Sequence, residues 1–238
     1  LTVAVIDALA FLGETLYWKQ SAEDLVKRMD KNGIDAAVAT PPPPGPDYTE
    51  ANRRVHEAVE RHPDRIIGFF RVNPHYGEKA LEEAEAAVKD WGFKGFKLDP
   101  TNEAFGLYPR AVEGVMELAR ALKVPVYFHT GDSIFCPLEA VEQIAKLYPK
   151  VTVMMHGSGP AAMMAQSHEN IVLATGPLGG PRFLETALER LDPKRVVFTT
   201  RSPIGFPELE LRILELSTIS EEHRRLIRGE NIKRILGL

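Results

Sequence analysis

Residues 124–129 read VPVYFH, an apolar and aromatic run that ends in a histidine and enters the loop string TGD (130–132). A short continuous apolar run bounded by loop residues reads as a strand covered on both faces, the condition of parallel strands. The unit repeats in both directions along the chain. VAVID (3–7), IDAAVAT (34–40), RIIGFFRV (65–72) and KGFKL (94–98) precede it, and VTVMMH (151–156), IVLAT (171–175) and RVVFTT (195–200) follow. Between these runs lie stretches with helical spacing, such as YPRAVEGVMELARALK and PLEAVEQIAKLYP. Several start at Ser, Thr or Pro and stop near Gly or Pro, as helices do. Strictly alternating strands and helices predict an α/β protein, a (β/α)8 TIM barrel formed as a single domain over residues 1–238. An open doubly wound sheet is the competing architecture. SEEHRRLIRGENIKRILGL then supplies extra C-terminal helices that close one end of the barrel. GPAAMMAQSHEN is short for a full helix, and TPPPPGPDY (40–48) is a stiff loop that excludes one.

Composition narrows the function classes. The chain has 238 residues, 44% hydrophobic and 26% charged, with a formal net charge of −4. That balance suits a soluble globular protein and offers no basic cluster for nucleic acid. A single cysteine excludes an internal disulfide and Cys-rich zinc sites. No apolar stretch reaches the roughly 20 residues needed to span a bilayer. LTVAVIDALAFLG contains Asp7 and lacks a basic leader, so a signal peptide is not expected. The expected setting is cytoplasmic and the expected partner a small-molecule substrate, with self-association left open.

Barrel enzymes place their chemistry at the C-terminal ends of strands. Those positions hold Leu9 and Phe11 after strand one, Asn73 after three, Asp99 after four, and His129 with Asp132 after five. His156 and Ser158 follow strand six, Thr175 follows seven, and Arg201 with Ser202 follows eight.

GFKGFKLDP, VPVYFHTGD, VTVMMHGSG, RVVFTTRSPIG and LIRGENIKRILGL resemble segments of the amidohydrolase-2 family of the amidohydrolase superfamily. The family comprises metal-dependent (β/α)8 hydrolases and decarboxylases. The resemblance implies a divalent metal, commonly zinc, held by a His-x-His pair on strand one, a histidine after strand five, often one after strand six, and an Asp after strand eight. Here Leu9 and Phe11 stand at the first pair and Arg201 at the strand-eight acid, while His129 and His156 remain. Asp99 replaces a usual histidine after Lys97-Leu98. Two imidazoles facing a fixed guanidinium make a poor cation site, because a catalytic zinc normally takes three protein ligands. The expectation is therefore no metal and no cofactor.

With the metal ligands replaced at the active-site end and the scaffold motifs intact, the sequence reads as an engineered, metal-free hydrolase of activated esters. Ser158, set among glycines in HGSG (156–159), is the candidate nucleophile. His129 or His156 would be its base and Asp99 or Asp132 the orienter, with backbone N–H groups near Gly159 as an oxyanion hole. Cys136 is a second candidate nucleophile. Leu9, Phe11 and Trp18 would line an apolar substrate pocket, and Arg201 would bind an anionic group or pair with Asp99 or Asp132. Three alternatives stay open: a proton-transfer or carbon–carbon lyase centred on Asp99 or Lys97, an inactive or anion-binding barrel, and a residual metal-dependent amidohydrolase or decarboxylase. The lyase alternative calls for an apolar pocket that raises the pKa of Asp99.

Overall fold

The computed structural model describes residues 4–130, 134–176 and 180–238. Eight parallel strands form the barrel: β1 (Ile6–Phe11), β2 (Ala36–Thr40), β3 in two pieces (Ile66–Gly68 and Phe70–Arg71), β4 (Phe96–Leu98), β5 (Val126–Phe128), β6 (Val153–His156), β7 (Ile171–Ala174) and β8 (Val196–Val197). One run of pairing joins β1, β2 and the first piece of β3, and a second runs from the other piece of β3 through β4 to β8. The two meet at Phe69, whose N–H donates to Ala39 at 2.9 Å. The N–H of Ala8 donates to Phe198 O at 2.8 Å and closes β1 against the end of β8. The barrel expected from the alternating pattern is what forms.

Two-residue periodicity sorts each strand into two faces. Phe96, Leu98, Val126, Phe128, Val153, Met155, Ile171 and Leu173 pack outward under the helices. Val38, Phe69, Tyr127, Met154, Val172, Ala174 and Val197 form a separate inner cluster. Among the described residues ten helices follow in order: α1 (Ala22–Asn32), α2 (Thr49–Arg61), α3 (Gly77–Lys89), α4 (Pro109–Leu122), α5 (Leu138–Leu147), α6 (Gly159–Ala165), α7 (Gly180–Leu188), α8 (Pro207–Leu216), α9 (Glu221–Arg225) and α10 (Asn231–Leu236), with a π-helical turn, Leu226–Glu230, between the last two. α1 starts at a capping box, in which Ser21 accepts from Asp24 N and the Asp24 carboxylate accepts from Ser21 N.

The C-terminal helices do close one end. Ile232 and Leu236 of α10 join the inner cluster together with Ile6. Gly229 is required where the turn crosses the start of β1, since a Cβ there would sit 2.1 Å from Ala4 O. Two boundaries differ from expectation. β1 runs on to Phe11, so Leu9 and Phe11 belong to the strand instead of following it. GPAAMMAQSHEN does contain a helix, the seven-residue α6. No helix among the described residues is long and apolar enough to cross a membrane.

Candidate functional site

The same inward periodicity that fills the barrel carries polar side chains to its mouth. On β4, Phe96 and Leu98 face the helices, which turns Lys97 inward, its Nζ 5.3 Å from the Tyr127 ring centroid. Two residues on is Asp99, and two residues beyond Tyr127 is His129. His156 ends β6 and brings its ring centroid to 5.1 Å from that of His129, nearly perpendicular at 81°. Asp99, His129 and His156 thus stand at the ends of strands four, five and six.

Asp99 is held by a partner that the sequence reading missed. Arg71, fully buried at the end of β3, forms ion pairs with Asp99 at 3.0 Å and with Glu103 at 2.8 Å. Its guanidinium lies 4.8 Å from the Tyr48 ring centroid and donates to Pro41 O at 3.2 Å. Asn102 Nδ2 donates to the other Asp99 oxygen at 3.0 Å. Burial alone would raise this carboxyl, yet the charges of Lys97, Arg71 and His129 hold it well below the ordinary carboxylate range. The pKa increase required of Asp99 as a neutral-pH base does not occur, because the apolar pocket is filled by cations. Arg201 is also not its partner: among the described residues the Asp99 ion pair is with Arg71.

Lys97 takes the opposite shift. It is fully buried and its ammonium donates to Leu98 O at 2.8 Å. Desolvation brings its pKa down to about 7 against the pull of Asp99, and the charges of Arg71 and Arg201 lower it further. A group that titrates there can both give and take a proton at neutral pH.

His156 is half-buried, with Nδ1 3.0 Å from Tyr127 Oη. Its Nε2 is out of solvent's reach and has no partner among the described residues. Burial first, and the charge of Arg201 next, depress its pKa well below the ordinary value and keep the ring neutral. Burial pushes the Tyr127 phenol up, so it too stays protonated.

Strand eight ends in a turn stapled to strand one. Asp7 accepts from Leu9 N at 3.0 Å, Thr199 Oγ1 at 3.0 Å, Thr200 N at 2.9 Å and the Thr200 hydroxyl. Burial outweighs these bonds and raises the Asp7 pKa to about 6. Arg201 N donates to Leu9 O at 2.9 Å, Phe11 N to Ser202 O at 2.8 Å, and Ser202 Oγ to Gln20 Oε1 at 3.0 Å. Gly205 is needed to close the turn, as a Cβ would lie 2.0 Å from Thr200 O. Within it Arg201 adopts φ 55°, a left-handed conformation uncommon for a non-glycine residue. Glu210 of α8 lies buried nearby, raised to about 7 by burial and by Asp7, while Arg201 opposes. Glu103 and Glu210 come from a turn and a helix, and no strand periodicity signals them.

The remaining sequence candidates separate from this group. Ser158 is the N-cap of α6, its Oγ accepting from Ala161 N at 3.2 Å. Gly159 is the first residue of that helix and is exposed. Cys136 is fully buried in the layer under the helices, its Sγ 3.4 Å from Thr101 Oγ1. Leu9 and Phe11 are buried in the inner cluster, where Trp18 packs on them with its ring centroid 6.2 Å from that of Phe11. Asp132 lies outside the described residues.

A family profile described as amidohydrolase matches residues 14–238. Among curated protein sequences none matches. Solved structures share the fold over essentially their full length. A 2,6-dihydroxybenzoate decarboxylase from Rhizobium superposes with a TM-score of 0.81 at 16% identity, covering 99% of both chains. A 5-carboxyvanillate decarboxylase from Sphingomonas paucimobilis gives 0.81 at 13%, covering 100% of both. A dihydroxybenzoic acid decarboxylase from Polaromonas sp. JS666, holding manganese and an inhibitor, gives 0.80 at 18%, covering 100% of this chain and 98% of its own.

These findings overturn the reading as a metal-free serine esterase on an engineered barrel. Proteins of like fold include several decarboxylases, some of which carry manganese. The Ser158 hydroxyl meanwhile accepts a helix-capping hydrogen bond. Nothing points to an engineered origin, and the family match runs through the replaced positions at Arg201 and Asp99. The donors present do not, however, fit the family's metal. Leu9 and Phe11 occupy the strand-one positions, and the Arg201 charge already acts on His156. Among the described residues no three His, Cys, Asp or Glu side chains gather to hold an ion.

Proposed function

Because this chain belongs to the amidohydrolase family, whose profile spans residues 14–238, we propose that it is a carbon–carbon lyase of the decarboxylase type, acting on a small carboxylated molecule with Lys97 as the proton carrier. One observation carries the reading: a fully buried lysine on the inner face of β4, beside the Tyr127 ring and under the charge of Asp99, with a pKa brought down to about 7 by burial. The decarboxylase activity of proteins with the same fold supports it.

The ammonium of Lys97 delivers its proton to the substrate carbon that bears the carboxylate. The carbon–carbon bond then breaks, its electron pair stays with the protonated carbon's framework, and carbon dioxide leaves. Water restores the proton to the Lys97 amine. Asp99, fixed by Arg71 and Asn102, stays ionised and holds the ammonium in register as an electrostatic partner. The apolar wall of Leu9, Phe11 and Trp18 excludes water and favours a flat, unsaturated substrate. No step runs through a metal, since the donor set does not fit one. On this reading the protein is a single-domain cytoplasmic enzyme.

The test is carbon dioxide release from a panel of carboxylated phenols and enol acids, with Lys97→Met and Lys97→Arg beside the parent. Turnover that both variants abolish supports the reading. Turnover that survives in Lys97→Met refutes it.

A further inference from the structure

We infer that Arg201 and the Nε2 of His156 form an oxyanion site at the mouth of the barrel, where the guanidinium of this chain stands in the electrostatic place of the family's cation and takes the carboxylate of the substrate. The inference rests on the lyase reading for the identity of the anion, and it names the anchor of that substrate.

Three independent features converge on Arg201. Its Nε is buried with no hydrogen-bond partner among the described residues, and so is His156 Nε2. Buried polar groups in folded proteins are nearly always satisfied, so two orphans at the C-terminal end of the barrel, one at the end of β6 and one after β8, mark where a ligand's polar atoms belong. The charge of Arg201 is felt by Glu210 of α8, by Lys97 of β4, by Tyr127 of β5 and by His156 of β6. A cation that acts on groups from three strands and a helix lies over the barrel interior and not out in solvent. Finally, its backbone is held at φ 55° by a turn fixed through Asp7, Leu9 O and Gly205. Strained backbone of this kind persists where the surroundings enforce it and clusters at ligand sites.

The chemistry selects a carboxylate. A guanidinium presents a planar fork of donors that matches two carboxylate oxygens, and a neutral imidazole adds one further N–H without adding charge. His156 is suited to that part, as Tyr127 Oη occupies its Nδ1 and leaves Nε2 for the ligand. Leu9, buried on β1, accepts from Arg201 N through its carbonyl and ties the Arg201 backbone to the first strand.

The experiment uses benzoate and its neutral counterpart benzamide as probes, with binding to the full chain measured by calorimetry. The parent protein is expected to bind benzoate at least tenfold tighter than benzamide. Arg201→Gln should erase that preference, chiefly by weakening benzoate, and His156→Phe should narrow it. Equal affinity for the two probes in the parent, or an undiminished preference in Arg201→Gln, overturns the inference. Should Arg201→Gln not fold, phenylglyoxal modification of Arg201 in the parent is followed by peptide mass analysis. Protection by benzoate but not by benzamide supports the site, and absence of protection refutes it. Lys97→Met separates the two claims. A variant that releases no carbon dioxide yet keeps the benzoate preference leaves both standing, while a benzoate preference lost in Lys97→Met and kept in Arg201→Gln moves the anchor to Lys97 and sinks the inference alone. Failure of every substrate to release carbon dioxide, with the preference intact, sinks only the lyase reading.

Discussion

Thr200 donates both its backbone N–H, at 2.9 Å, and its side-chain hydroxyl to the carboxylate of Asp7, 193 positions earlier in the chain. With Thr199 Oγ1 and Leu9 N on the same carboxylate, this is the seam that joins the last strand to the first. Asp7→Ala would strand several buried donors at once. Each unsatisfied buried group costs about 1–3 kcal/mol, so a loss of roughly 3–5 kcal/mol is expected, visible as a lowered midpoint in urea. Asp7→Asn keeps an acceptor and should lose less. A midpoint unchanged in Asp7→Ala would show that the seam contributes nothing to stability.

Lys97 must be charged to donate a proton. Since burial brings its pKa down to about 7, the charged fraction falls as pH rises through that value. The turnover number is expected to be flat on the acid side and to decline above about pH 7. Lys97→Met should reduce it by roughly 10²–10⁴-fold, the usual worth of a positioned general acid. A profile that rises with pH through 7 would assign Lys97 the role of base.

Glu210 offers a test on stability alone. Its pKa is raised to about 7, above the unfolded value, chiefly by burial. The folded protein therefore holds this proton more tightly than the unfolded chain does. Stability is fully present below the unfolded pKa and is lost as pH rises through about 7. Glu210→Gln cannot ionise, so its unfolding free energy relative to the parent, measured by urea titration, should improve between pH 5 and pH 8 by an amount on the order of 1–3 kcal/mol. An identical difference at both pH values would refute the assignment.

Much of this arrangement could be read from the chain beforehand, and the reason is periodicity. Once FKL (96–98) and VYF (126–128) are strands, alternate residues must share a face, and Asp99, His129 and His156 follow by counting in twos. Arg71 and Tyr127 obey the same count but sit inside apolar runs, where their polar ends are easy to overlook. Asp7 was visible in its strand, yet the donors that satisfy it come from the far end of the chain. Glu103 and Glu210 could not be placed, because turns and helix starts carry no inward period. Ser158 was misjudged for a different reason. Ser-Gly-Pro before Ala-Ala is a helix-start signal, with a hydroxyl acceptor and a proline in the first turn. The glycines around it suggested an exposed nucleophile, but they belong to the entry of α6.

Ser158→Ala accordingly should cost about 1 kcal/mol of stability through the lost cap and leave turnover unaffected. A turnover loss that exceeds the change in folded fraction would return this serine to the chemistry.

The misfit of the donor set is testable by construction. Combining Leu9→His, Phe11→His and Arg201→Asp removes the apolar wall and the guanidinium together. That variant, checked for folding by circular dichroism, is expected to take up manganese in a calorimetric titration, and the parent is not. Equal uptake by both would mean that the native side chains already suffice.

A bound ion can leave, exchange or be competed for; a guanidinium carried on the peptide can do none of these. The strained residue 201 makes its location a property of the backbone, inherited from the tight closure around Gly205 and the grip of Asp7. Tuning of the charge at the mouth then passes from the surrounding solution to the chain itself. A mutation at residues 199, 200 or 202–205, around Arg201 but not at it, would shift where that charge sits without altering the guanidinium that meets the substrate.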